Sequence, residues 1–207
     1  RILKAKMDKG LFDHPYTDPD AIKNIGTAAH LQKADEIAER SITLVKNKNH
    51  VLPLKKSENV FVTGPSTAKP DELSSLLNDR GMDTSSFATN ASPTDGQIEK
   101  AVEQAQKADT VIVTTYTANT NDAQQKLVKQ IQKTDKPVIV AAIRNPYDLM
   151  AFPDVDGYLN TYGDRDISVK ALSKALVGDI NPYGRLPVTI PGLYDYGYGL
   201  DYVDTPL

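Results

Sequence analysis

Two short segments carry residue types able to do chemistry. Arg144-Asn145-Pro146-Tyr147-Asp148 sets a cation, an amide, a phenol and a carboxylate directly after an apolar run. Asp164-Arg165-Asp166 places a carboxylate on either side of a cation. Two carboxyl groups about 5–5.5 Å apart, one with a raised pKa, can cleave a glycosidic bond with retention. At a helix start the same tripeptide reads more simply as a cap with a solvated ion pair. An arginine at a strand end can hold a carboxylate, a sugar hydroxyl or another domain. It can also pair locally, here with Asp148, Asp154 or Asp156.

Other chemistries lack their parts. Gly64-Pro65-Ser66 follows an apolar run, but no glycine-rich dinucleotide or phosphate loop is present. His14, His30 and His50 are isolated in polar settings, so the sequence offers no metal site. There is no Gly-x-Ser-x-Gly elbow and no cysteine, which removes the usual serine and thiolate nucleophiles. The net charge of -3 and the lack of a basic run argue against nucleic acid as a partner. No apolar run approaches the roughly 20 residues of a membrane-spanning helix. No secretion signal is visible, though the absence of cysteine fits an exported protein.

The elements that must position these residues follow from periodicity. Val138 to Ile143 is six apolar residues without polar alternation, the pattern of a strand covered on both faces. Arg144 then stands at the carboxyl end of a central strand, where open α/β sheets bind ligands. Further strands are expected at Val60–Thr63, Thr84–Ala88, Thr110–Thr115 and Gly157–Thr161. Tyr116 to Asn121 is the exit loop of the third of these. Helices alternate with them: one opened by Pro70, one capped by Thr94 with Gln97, one carrying Leu127, Val128 and Ile131, and one carrying Val169, Leu172 and Leu176. Alternation of this kind predicts an α/β fold. The expected architecture is a three-layer α/β/α sandwich with a mostly parallel sheet of five or six strands.

The ends differ from this core. Residues 1–9 read as the end of a helix, with Gly10 as its left-handed stop. Asp13 to Thr27 has linker composition. A helix is expected over residues 31–46, with Leu31, Ala34, Ala38, Ile42 and Val45 on one face. Asp122 reads as the cap of the helix after the exit loop. Val188-Thr189-Ile190 is expected as a short strand. The Tyr- and Gly-rich stretch from Tyr194 to Tyr202 reads as a surface wrap or a partner-facing segment.

Several segments together resemble the C-terminal domain of glycoside hydrolase family 3. They are Ala38-Glu39-Arg40-Ser41-Ile42-Thr43-Leu44-Val45-Lys46-Asn47, Leu52-Pro53-Leu54, Gly178 through Ile190, and Tyr196-Gly197-Tyr198-Gly199-Leu200. Residues 1–13 resemble the last helix and exit of that family's (β/α)8 barrel. The resemblance then makes residues 14–29 a linker and residues 30–207 the sandwich domain with its tail. In the β-glucosidase-like members, the resemblance places a general acid/base Glu in the loop matching Tyr116-Thr117-Ala118-Asn119-Thr120-Asn121-Asp122. Here that loop is short and holds no Glu. The loop and the Arg144–Asp148 segment instead resemble the bacterial β-N-acetylglucosaminidase branch, whose catalytic groups lie on the barrel.

The resemblance implies a retaining exo-hydrolase that releases terminal β-N-acetylglucosamine from peptidoglycan fragments, exported or associated with a bacterial cell wall. Its implied partner is an N-terminal barrel of the same polypeptide, which holds most of the carbohydrate. No cofactor is implied. No catalytic residue falls in this chain, and Asn119, Arg144, Asn145, Tyr147, Tyr162, Asp164 and Arg165 are candidates for the substrate rim or a domain contact. Two alternatives stand beside this reading: a β-glucosidase or β-xylosidase of the same family, and a free-standing flavodoxin-like module binding a small ligand.

Overall fold

A computed structural model describes residues 1–202. The chain divides into two units, Arg1–Glu36 and Ile37 onward. In the first, helix α1 spans Ile2–Asp8. Gly10 (φ +66°) ends it, with its N–H bonded to the Met7 carbonyl and that of Leu11 to the Lys6 carbonyl. This is the left-handed stop that glycine makes without steric cost. The stretch of linker composition contains one short 3-10 turn, Pro19–Asn24, begun by the Asp18 side chain accepting from the Asp20 N–H.

The second unit is built on a six-stranded sheet. In chain order the elements are α2 (Ala28–Ser41, which begins in the first unit), β1 (Thr43–Asn47), β2 (Asn59–Pro65), α3 (Pro70–Asn78) and β3 (Asp83–Thr89). There follow α4 (Asp95–Ala105), β4 (Thr110–Thr115), α5 (Asp122–Gln132), β5 (Val138–Ala142), β6 (Gly157–Asn160) and α6 (Asp166–Leu176). The strand order is β1-β6-β5-β4-β2-β3, with only β1 antiparallel to its neighbour.

Period-two burial explains the continuous apolar runs. On one face Val60, Val62, Ile112, Ile139 and Ala141 pack with Leu73 and Leu77 of α3 and Val169, Leu172 and Leu176 of α6. On the other, Phe61, Val111, Val113, Val138 and Val140 pack with Ile98 and Ala101 of α4 and Leu127, Val128 and Ile131 of α5. Each such large side chain stabilises the fold by roughly 1.5–3 kcal/mol on burial. The α/β/α sandwich with a mostly parallel sheet is therefore the architecture observed.

Three local expectations are corrected. The helix expected over residues 31–46 stops at Ser41, and Thr43–Asn47 is strand β1. Leu44 packs on one face of the sheet and Val45 on the other, which a strand allows and a single helix face does not. Of the expected helical face, Leu31 is exposed while Ala38 and Ile42 are buried. Val188–Ile190 forms no strand, only a bridge between Ile190 and Tyr194. Prolines at 187 and 191 lack the N–H groups that would extend a ladder. The cap of α5 is Asn121, whose Oδ1 accepts from the Gln124 N–H (3.2 Å), rather than Asp122.

The tail is a wrap over the sheet edge. The Gly184 N–H bonds to the Ile42 carbonyl (2.9 Å) and the Leu200 N–H to the Leu44 carbonyl (2.7 Å). Tyr194 and Tyr198 stack with ring centroids 4.5 Å apart. The Tyr202 hydroxyl donates to the Ala175 carbonyl (2.8 Å), and burial pushes its pKa far up.

Candidate functional site

The chain runs β2 to β3, returns past β2 to β4, and then steps outward to β5 and β6. Neighbours β2 and β4 are thus the switch point at which the order reverses, and ligands bind beyond the carboxyl ends of strands there. The exits of β4, β5 and β6 supply every candidate residue named above.

Arg144 is exposed, and its guanidinium lies 5.2 Å from the centre of the Tyr116 ring. It pairs with none of the carboxylates expected as local partners. Asp156 accepts the Val138 N–H (2.9 Å), Asp154 is exposed, and Asp148 faces away into the protein. Among the described residues Arg144 therefore carries its charge without a carboxylate, oriented by an aromatic face. Asn145 caps the 3-10 turn Pro146–Ala151, its Oδ1 accepting from the Tyr147 N–H (3.0 Å). That bond accounts for Asn145 and seats Tyr147, and both residues are half-buried.

Asn119 is half-buried in the 3-10 turn Ala118–Thr120 that follows β4. Its N–H donates to Asp148 Oδ1 (3.0 Å), and its own Oδ1 is buried with no hydrogen-bond partner. Tyr162 has a left-handed backbone (φ +57°) and turns toward the sheet edge, where its hydroxyl donates to Thr43 Oγ1 (2.9 Å). Burial raises its pKa, opposed by Thr43 and Asn160. Arg165 is the N-cap of α6 but makes no side-chain cap, and Asp166 is paired instead with Lys69. The expected cap is thus corrected, because the cap position falls on the arginine between the two acids, whereas a solvated ion pair is present with Lys69 as the cation. Lys69 also meets Glu72 (3.1 Å) and holds the exposed Asp166 carboxyl below its usual range. Asp164 is half-buried and Arg165 exposed, and among the described residues neither makes an ion pair.

The exits are joined by Asp148, which the sequence offered only as a carboxylate near Arg144, and by Gln124 and Thr161, which sequence reasoning passed over. Asp148 is fully buried, accepting from Thr115 Oγ1 (2.7 Å) as well as from Asn119. Burial raises its pKa, opposed by those two donors and the Ala118 N–H. Gln124, also buried, accepts the Tyr116 N–H (3.0 Å) and donates to the Tyr116 carbonyl (3.1 Å). The Thr161 hydroxyl reaches the Ile143 carbonyl (2.9 Å), tying the β6 exit to that of β5. The sequence marked Asp148 as a carboxylate near Arg144, and the one signal for its burial was its place beside Leu149.

What this edge can do is narrow. It offers a cation, amides and phenols for polar contact. The acids of the β4 and β5 exits are either buried, as Asp148 is, or placed in the first turn of a helix, as Asp122 is. The histidines are all exposed, and no group of metal-binding side chains occurs among the described residues.

An α/β/α domain of this topology carries a rim of polar and charged side chains at the switch point of its sheet. Residues 42–203 match the model of the glycosyl hydrolase family 3 C-terminal domain, and the chain belongs to that family. It is 29% identical to a lysosomal beta glucosidase of Dictyostelium discoideum, covering 100% of this chain and 32% of that protein. A family 3 beta-N-acetylglucosaminidase from Paenibacillus is structurally similar, with TM-score 0.70 at 26% identity over 81% of this chain and 33% of that one. A fungal multi-domain family 3 beta-N-acetylglucosaminidase has TM-score 0.73 at 31% identity over 87% of this chain and 21% of that one. The chain thus spans about a third of the length of the curated relative. No helix among the described residues is long and apolar enough to cross a membrane.

Proposed function

We propose that the whole polypeptide is a retaining, exo-acting hydrolase that releases terminal β-N-acetylglucosamine from peptidoglycan fragments, and that this domain supports its catalytic barrel. The observation that carries this reading is the β4 exit. It is short, contains no Glu, and is pinned from below by Asp148 and Gln124. A general acid must reach within about 3 Å of the glycosidic oxygen. The fully buried Asp148 carboxyl group has no path to do so. Acid and nucleophile therefore belong on the barrel, and Asn119, Arg144 and Tyr147 frame the mouth of the site.

Residues 1–13 are assigned to the end of that barrel and residues 14–29 to a linker. Ile2, Leu3 and Met7 on α1 are exposed, as a helix torn from a larger core would leave them. Relatives described as periplasmic support export of the parent protein. A second reading, a β-glucosidase or β-xylosidase, is favoured by the names of several sequence relatives. Cleavage of nitrophenyl β-N-acetylglucosaminide and nitrophenyl β-glucoside by the full-length protein separates the two. The proposal expects kcat/KM to favour the acetamido sugar by at least about 100-fold, the discrimination that a buried hydrogen bond to the acetamido group supplies. Preference for the glucoside would establish the second reading.

A further inference from the structure

Among the described residues Asp148 is the one fully buried carboxylate of the rim, and no cation pairs with it. Leaving such a group unpaired would cost several kcal/mol, so its neutral donors must be well placed. They come from a different loop. Thr115 is the last residue of β4, and Asn119 lies in the turn that follows. Asp148 itself belongs to the turn after β5.

The β4 exit is also held at its start. The buried Gln124 side chain grips both the N–H and the carbonyl of Tyr116, and its Nε2 reaches the Ala91 carbonyl as well (3.0 Å). Between these two anchors Thr117 is forced to φ +57°, a conformation that a β-branched residue avoids unless its surroundings impose it. Tyr116, fixed by the first anchor, is the ring on which Arg144 rests.

We propose that Asp148 is a positioning residue whose carboxyl group locks the exits of β4 and β5 into one wall, so setting where Asn119 and the Tyr116–Arg144 pair stand. That these groups face a sugar rests on the function proposed above, whereas the lock itself does not. Substitution should therefore act on affinity through the wall and leave the bond-breaking step alone.

Two measurements decide it. The first is amide hydrogen exchange of this chain, residue by residue, for the wild type, Asp148→Ala and Asp148→Asn. The proposal expects Asp148→Ala to lower protection of Asn119 by tenfold or more while Val111–Val113 in β4 keep theirs. Asp148→Asn, which retains an acceptor oxygen, should keep most of the protection. Equal protection of Asn119 in all three overturns the lock. So does a loss in Asp148→Ala spread evenly over the strands. If Asp148→Ala does not fold, Thr115→Val removes one donor at constant volume, and an unchanged Asn119 in that variant is equally fatal.

The second measurement places the same substitutions in the full-length enzyme. KM should rise fivefold or more with kcat within twofold. A collapse of kcat at constant KM contradicts a positioning role. Should the wild type prefer a glucoside, the function proposed above falls, and the exchange data still judge the lock.

Discussion

Gly64 should be among the least replaceable residues of the domain. It sits in β2 at φ +146°, beside β4 at the switch point. A Cβ added there would stand 2.1 Å from the Thr114 carbonyl oxygen and 2.5 Å from Thr114 Oγ1. Both atoms belong to the neighbouring strand, whose backbone is fixed by the pairing of Val60–Thr63 with Thr110–Val113. Overpacking of a core costs about 1–3 kcal/mol. A side chain held in a region that only glycine favours adds about 1–3 kcal/mol. Gly64→Ala should therefore destabilise by about 4 kcal/mol, a large part of the roughly 5–15 kcal/mol available to a domain. With a urea m-value of about 2 kcal/mol/M, the midpoint should fall by about 2 M. Gly96→Ala is the control. It lies in α4 with nothing within 4 Å of the added Cβ, so helix propensity should make it neutral or stabilising by about 0.5 kcal/mol. A Gly64→Ala midpoint within about 0.3 M of wild type would refute the steric argument, since that shift is worth under 1 kcal/mol.

Two further outcomes follow from single interactions. Thr94 and Gln97 form a complete capping box at the start of α4, so Thr94→Ala should cost about 1 kcal/mol in the same urea assay. Asp148 has a folded pKa raised by burial above the usual 3.8, so folding favours its protonated form. Its contribution is then fully present below pH 3.8 and is lost as pH rises through the folded value. Tyr158, which faces it, is pushed well above 10 by burial and stays neutral throughout. The stability of wild type relative to Asp148→Asn should thus fall as pH rises from 3.8; a difference that grew with pH would contradict burial as the dominant cause.

The sheet was legible where one period prevailed. Thr110–Thr115 and the run through Val138–Ala142 could be read directly, because strands covered on both faces are apolar without alternation. Strand β1 was not, since Ile42 and Val45 continue a helical spacing by coincidence. The adjacent buried pair Leu44 and Val45 was the overlooked sign of a strand. At the site, the place of Arg144 at a strand end was legible and its partner was not. Three acids lay within reach in sequence, and the structure uses none of them, giving Arg144 the ring of Tyr116 from another strand exit. The bonds from Asp148 to Thr115 and Asn119 span 33 and 29 residues. Periodicity carries no information about contacts of that separation.

The central claim is that this domain lends no acid or base to the reaction. The direct test is kcat of the full-length enzyme with Asp122, Asp164 and Asp166 all changed to Asn. These are the acids of the β4 and β6 exits and of the helix starts that follow them, and Asp148 of the β5 exit is buried. Removing a general acid or base costs about 10²–10⁴-fold. If the domain supplies neither group, kcat should stay within about threefold of wild type, below what any such role would produce. A loss of 100-fold or more, restored by added azide or formate, would instead place the acid/base on this domain.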